Sequence, residues 1–215
     1  LEKNPSFQAP PQEEKNPFFQ TPFQETLDQY LSNKIGEIEL LRKAQWNTRW
    51  GFSWNLYSAI VRYAKTKQIP IVALNTPSEL TKAVSKKGLE GLSVEEKAQL
   101  PEMVLSDSQY KDYVHKAFEK HKIPESHFPS FFAAQVLWDE TMAQATVNYM
   151  RNEKQIRPII VLAGTGHLIQ GMGIPSRVQR RIKTIDRVVL PVKTSELSKY
   201  IDAQAGDWLW VTQDP

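Results

Sequence analysis

Apolar and polar positions along this chain follow two different periods, and where each begins and ends predicts an alternation of helices and strands. Over residues 22–31, Phe23, Leu27, Tyr30 and Leu31 recur at helical spacing, with Pro22 suited to a first turn. Residues 35–43 form a second short helix, Ile38 and Leu41 inward. Ser53 can cap a third, to about Lys67, whose apolar face is Trp54, Tyr57, Ile60, Val61 and Ala64. Thr76-Pro77-Ser78-Glu79 carries the cap, first-turn proline and acid of a capping box. Ser93-Val94-Glu95-Glu96 starts a short helix, and residues 110–121 form a longer one. The strongest helix covers 131–150. Apolar runs at 69–74, 159–163 and 185–192, the last interrupted by Asp186 and Arg187, read as buried strands, and 208–211 as a short strand at an edge. Helices alternating with buried strands predict an α/β fold: a layered α/β/α domain around a central, largely parallel sheet.

Two places in this pattern carry candidate chemistry. On the helix over 131–150, Phe131, Gln135, Trp138, Asp139, Met142, Thr146 and Tyr149 gather on one side. Gln135 and Asp139 therefore share the face that the large apolar residues bury, where an amide and a carboxylate need partners. They form either a site or a structural hydrogen-bond network. Glu140 points away, as a solvated charge. The second place follows the run at 159–163. Gly164, Gly166, Gly171 and Gly173 are four of the chain's nine glycines, and His167 lies among them. Ligands of open α/β sheets bind beyond the carboxyl ends of strands, where His167 and, after the run at 69–74, Asn75 would sit. Each has an alternative role, as a structural histidine and as an amide fastening its own loop. The glycine spacing matches neither a Walker loop nor a dinucleotide fingerprint.

Composition changes the picture little. A net charge of +3, from 27 basic and 24 acidic residues, is too balanced to point to nucleic acid. Arg177, Arg180, Arg181 and Lys183 read as a solvated helix end. With no cysteine there is no disulfide or thiolate chemistry. His115, His121 and His127 recur six apart, so no two share a helix face, and a metal site from them is not expected. No apolar run is long enough for a transmembrane segment. Trp46, Trp50, Phe52, Trp54 and Tyr57, with Arg49 among them, read as core, with a wall for a planar ligand as the alternative. Tyr110 and Tyr113 read as surface or half-buried anchors. Residues 1–17 are a proline-rich arm with a short repeat, Lys3-Asn4-Pro5 and Lys15-Asn16-Pro17, ahead of Phe18, Phe19 and Phe23, which dock at its end.

Several pieces, taken together, resemble one family. Phe19-Gln20-Thr21-Pro22-Phe23-Gln24 precedes Leu27-Asp28-Gln29-Tyr30-Leu31 and Arg49-Trp50-Gly51-Phe52. Then come Ile71-Val72-Ala73-Leu74-Asn75-Thr76-Pro77 and Gln135-Val136-Leu137-Trp138-Asp139-Glu140-Thr141-Met142-Ala143. Ala163-Gly164-Thr165-Gly166-His167 follows, with Gly173-Ile174-Pro175-Ser176-Arg177 behind it. The chain resembles the ChaN-like haem-binding uptake proteins, which group with Tiki and erythromycin-esterase-like proteins, over about residues 18–211. That superfamily carries two G-x-x-H motifs. Gly164 to His167 matches the second, whereas the first, in a Gly-Glu-x-His context, has no counterpart here. The domain at 18–215 therefore reads as truncated at its N-terminus, with Leu1-Glu2 as a strand remnant.

The resemblance implies a haem-binding protein of haem or iron uptake, a homodimer, exported or membrane-anchored on the envelope side. It implies tyrosine on the iron, and no matched motif selects one. Tyr57, beside the aromatic cluster, is the first candidate; Tyr110 and Tyr113 follow. His167 or Arg177 opposite the phenolate would suit ferric iron and a propionate. Asn75, Gln135 and Asp139 complete the candidate cofactor-binding set. Two other classes stay open. One is a non-catalytic interaction module that uses the proline-rich arm. The other is a metal-assisted or acid/base hydrolase, with His167 as base or ligand helped by Asp139 or Glu140.

Overall fold

The computed structural model of the protein describes residues 20–50, 52–121, 123–152 and 158–214. The arm at 1–17, its repeat, Phe18, Phe19 and the Leu1-Glu2 remnant lie outside the described residues. In chain order the helices are α1 (Gln24–Leu31), α2 (Glu37–Lys43), α3 (Trp46–Arg49), α4 (Asn55–Thr66), α5 (Ser78–Lys87) and α6 (Val94–Lys97). They continue with α7 (Ser108–Phe118), α8 (Phe128–Asn152), α9 (Ile174–Arg181) and α10 (Leu197–Asp202). Strands β1 (Val189–Lys193) and β2 (Trp208–Thr212) flank α10 and pair in parallel, Val189 opposite Trp208 and Lys193 opposite Thr212. A parallel pair needs a crossover, and α10 supplies it.

The architecture is α/β with most of its mass in helices. Helix α8 is the axis. It is buried without a break from Phe132 to Glu140, on all sides rather than on one face, because three helices surround it. Leu80 and Val84 of α5 pack on Ala133, Ala134 and Leu137. Tyr110, Val114 and Phe118 of α7 pack on Phe128, Phe132 and Val136. Ile174 and Val178 of α9 pack on Trp138, Met142 and Ala143. The tryptophans of the aromatic cluster are core, as read, whereas Tyr57 is half-buried and Phe52 is exposed: Trp46 stands edge-on to Trp54 at 4.9 Å and tilted to Trp50 at 5.4 Å, and all three are buried.

Two of the four expected strands do not form ladders among the described residues. At 69–74 the reason is visible. The Gln24 side chain donates to the Ile71 carbonyl at 3.0 Å and accepts from the Ala73 N–H at 2.7 Å, so one amide takes the place of a neighbouring strand's peptide. Asn75 makes an isolated parallel bridge to Gln20. The run at 159–163 finds no strand partner among the described residues, and Ile160 is exposed. Capping differs as well. Helix α5 starts at Ser78 after Pro77 without a side-chain cap, whereas the capping box forms at α6, where Ser93 and Glu96 bond each other's backbone N–H.

Candidate functional site

Helix spacing and a glycine-rich turn bring four sequence-predicted residues together. Asp139, at 0% exposure, accepts from Tyr110 OH at 2.5 Å on one oxygen and lies 2.6 Å from His167 Nδ1 on the other. An ionised carboxylate only accepts, so Nδ1 carries the proton and the ring's lone pair is at Nε2. Gln135, one turn before Asp139, donates to the Tyr110 oxygen at 3.2 Å, and its Nε2 lies 3.1 Å from His167 Nδ1. Trp138 stands edge-on to the imidazole at 6.0 Å. Among the described residues, Nε2 of His167 has no hydrogen-bond partner. The turn holding His167 depends on Gly173: a Cβ there would meet the His167 carbonyl oxygen at 2.2 Å.

Tyr110 is fully buried rather than a surface anchor. Burial, then the Asp139 charge, pushes its phenol well above the ordinary tyrosine range. The Arg177 guanidinium lies over its ring at 4.7 Å. Arg177 is itself buried, donating to the carbonyls of Met172 at 2.7 Å and Gly173 at 3.0 Å.

Glu140 is no solvated charge, and Arg177, Arg180 and Arg181 turn to it rather than to solvent, whereas Lys183 is exposed as read. Glu140 is at 0% exposure and faces α9. Arg180 and Arg181 reach its Oε2 at 2.8 and 2.7 Å, Arg177 Nε lies 3.4 Å from Oε1, and the Val104 N–H donates to Oε1 at 3.2 Å. The helical wheel placed Glu140 opposite the apolar face of α8, but α9 covers that side too.

The other candidates are dispersed. Asn75 is buried and accepts from the Thr76 N–H at 3.0 Å, the loop-fastening role. Tyr57 is half-buried between Trp46 and Trp50, with ring centroids at 5.7 and 5.2 Å, and burial raises its pKa. Tyr113 stacks on Tyr110 at 6.4 Å, and burial raises its phenol too. His115 bonds Glu125 at 2.8 Å, apart from His127. No group of three or more His, Asp or Glu suited to a metal occurs among the described residues.

One surface was missed. Helix α4 buries Ser58, Val61 and Ala64 but turns Leu56, Ile60 and Tyr63 outward, 66, 49 and 60% exposed, with Phe52 ahead of them at 58%. Ile60 therefore leaves the predicted core face. The signal was in the sequence: apolar residues at 56, 60 and 63 repeat at helical spacing beside a second apolar face.

A family model described as haem-binding uptake, Tiki superfamily, ChaN, matches residues 17–178. The chain belongs to this family. No curated protein matches it. A solved structure described as cofacial haem binding to ChaN of Campylobacter jejuni is similar, with a TM-score of 0.64 and 19% identity over 89% of this chain and 69% of that one. At that identity the likeness shows the shared fold. The ChaN match spans α1 through most of α9 and takes in α4, His167 and Arg177, whereas β1, α10 and β2 follow it. No helix among the described residues is long and apolar enough to cross a membrane.

Proposed function

We propose that this chain binds haem on the outward face of α4, with a tyrosine phenolate as the iron ligand, in haem or iron uptake or handling. The carrying observation is the exposed stripe of Phe52, Leu56, Ile60 and Tyr63 on a helix whose opposite side already packs in the core. A helix apolar on two sides has a second partner to cover. The residues there suit a haem. The stripe offers apolar surface to the macrocycle, Tyr63 offers a phenol, and the exposed Lys67, one turn on, offers a cation to a propionate. When bound, haem supplies the ferric centre. Burial disfavours the phenolate at Tyr57, Tyr110 and Tyr113, and Tyr110 also donates to Asp139, so the outward Tyr63 is the better placed ligand. The cofacial haem binding of the Campylobacter protein supports a homodimer in which two such faces meet.

A haemin titration followed by absorption spectroscopy tests this. Wild type is expected to show a saturable Soret shift with a charge-transfer band of tyrosinate-ligated ferric haem. Tyr63→Phe is expected to lose that band and bind about tenfold or more weakly. Loss of the band in Tyr57→Phe instead, with Tyr63→Phe unchanged, would move the ligand to Tyr57. No saturable shift in wild type would overturn the reading.

The His167–Asp139 pair favours a second reading, an acid/base hydrolase, because a carboxylate orienting Nδ1–H leaves Nε2 as a base. It requires hydrolysis of an activated ester by wild type that is abolished in His167→Ala. Equal rates in the two proteins would sink it.

A further inference from the structure

Two of the sequence pieces that carry the family resemblance meet at Arg49, away from His167, together with the helix start that follows a third. Arg49 ends α3. Its Nη1 donates to Gln20 Oε1 at 3.1 Å and to Ser78 Oγ at 2.6 Å, and its two Nη atoms fork onto the Glu79 carboxylate at 2.5 and 3.1 Å. Its Nε donates to Gln45 at 2.7 Å. Ser78 opens α5, and its N–H reaches the same Gln20 oxygen at 3.3 Å. Arg49 holds the Glu79 carboxyl down at about 2.

Two features set this place apart from an ordinary ion pair. The anion now on the fork is the chain's own, and its side chain is 66% exposed on the first turn of α5, free to swing into water. Beside the fork, Gln20 is 2% exposed, and its buried Nε2 has no hydrogen-bond partner among the described residues. The oxygen of that same amide is bonded to Arg49 and to the Ser78 N–H, so the unpaired NH2 sits on a residue that lines the fork. A buried donor left unpaired is rare in a finished structure. A guanidinium fork, a hydroxyl, a helix start and a spare amide donor together make a receptor for a carboxylate.

We propose that Arg49, Ser78 and Gln20 form a carboxylate-binding subsite for a propionate arm of the tetrapyrrole, with Glu79 as an internal competitor that leaves when the ligand arrives. This deepens the haem reading and rests on it. Position supports the assignment. Phe52, the first exposed residue of the α4 stripe, follows Arg49 by three residues, at most about 11 Å of extended chain, and its ring packs on Trp50 at 5.5 Å. A macrocycle on the stripe thus has a cationic fork at one end. The fork also confers a specificity that an apolar stripe lacks, because it separates free-acid porphyrins from their esters.

Quenching of tryptophan fluorescence by metal-free protoporphyrin and by its dimethyl ester tests the subsite without iron. Wild type is expected to favour the free acid. Glu79→Ala removes the competitor and is expected to tighten free-acid binding about two- to fivefold, the scale of an exposed ion pair, while leaving the ester unchanged. Arg49→Ala is expected to bring acid and ester to equal affinity. Since Arg49 also ties α3 to α5, the Glu79→Ala comparison decides if that variant fails to fold. Equal effects of Glu79→Ala on both porphyrins, or none on either, overturn the subsite. With haemin still bound, only the subsite falls. If wild type binds neither porphyrin nor haemin, the haem reading falls and takes the subsite with it.

Discussion

Glu140→Ala is expected to leave the protein at the edge of unfolding. The carboxylate lies at 0% exposure among Arg177, Arg180 and Arg181 and accepts from the Val104 backbone. Removing it strands three guanidinium charges beside one another, two of them with side chains less than a tenth exposed. Breaking a buried pair from one side costs about 3–5 kcal/mol, because the surviving charge loses its partner without regaining water. Domains of this kind have roughly 5–15 kcal/mol in hand, so the loss is a large share. Urea denaturation should show the midpoint falling steeply. A change below about 1 kcal/mol would mean that the arginines find other acceptors. Arg180→Ala should cost much less, since its side chain is a third exposed and Glu140 keeps two partners.

Asp139→Ala is expected to damage both stability and the order around His167. Each carboxylate oxygen serves one buried partner, Tyr110 OH at 2.5 Å and His167 Nδ1 at 2.6 Å. Without them two buried donors lack acceptors, at about 1–3 kcal/mol each. Gln135 cannot take its place, because the amide group it turns toward Tyr110 and His167 is its NH2, which only donates. The imidazole also loses the group that sets its tautomer, so the His167 NMR resonances should shift. Asp139→Asn, which keeps the shape and one acceptor, should cost less. An unchanged denaturation midpoint and unchanged His167 resonances in Asp139→Ala would show that water satisfies the network.

The two carboxylates, adjacent in sequence, show where sequence reading succeeds and stops. Helical spacing put Gln135 and Asp139 on one buried face and called for partners, and His167 and Tyr110 are those partners. The same wheel sent Glu140 outward, because a wheel knows the axis of one helix and not what packs around it. Tyr110 was misplaced for the same reason. Tyr63 was overlooked because the face with the tryptophans accounts for α4 by itself, although its second apolar side was there to be read.

What the sequence by itself determined is local or order-dependent: helices where apolar residues repeat at 3.6, the aromatic core, the turn around His167, and the ordered pieces that mark a ChaN chain. Only the tertiary structure decided which charges are buried, that Arg49 meets Gln20 and Ser78, and which apolar runs pair as strands. Periodicity is a property of one segment. Burial, ion pairing and strand ladders each need a second segment, and the sequence does not say which surface will arrive to supply it.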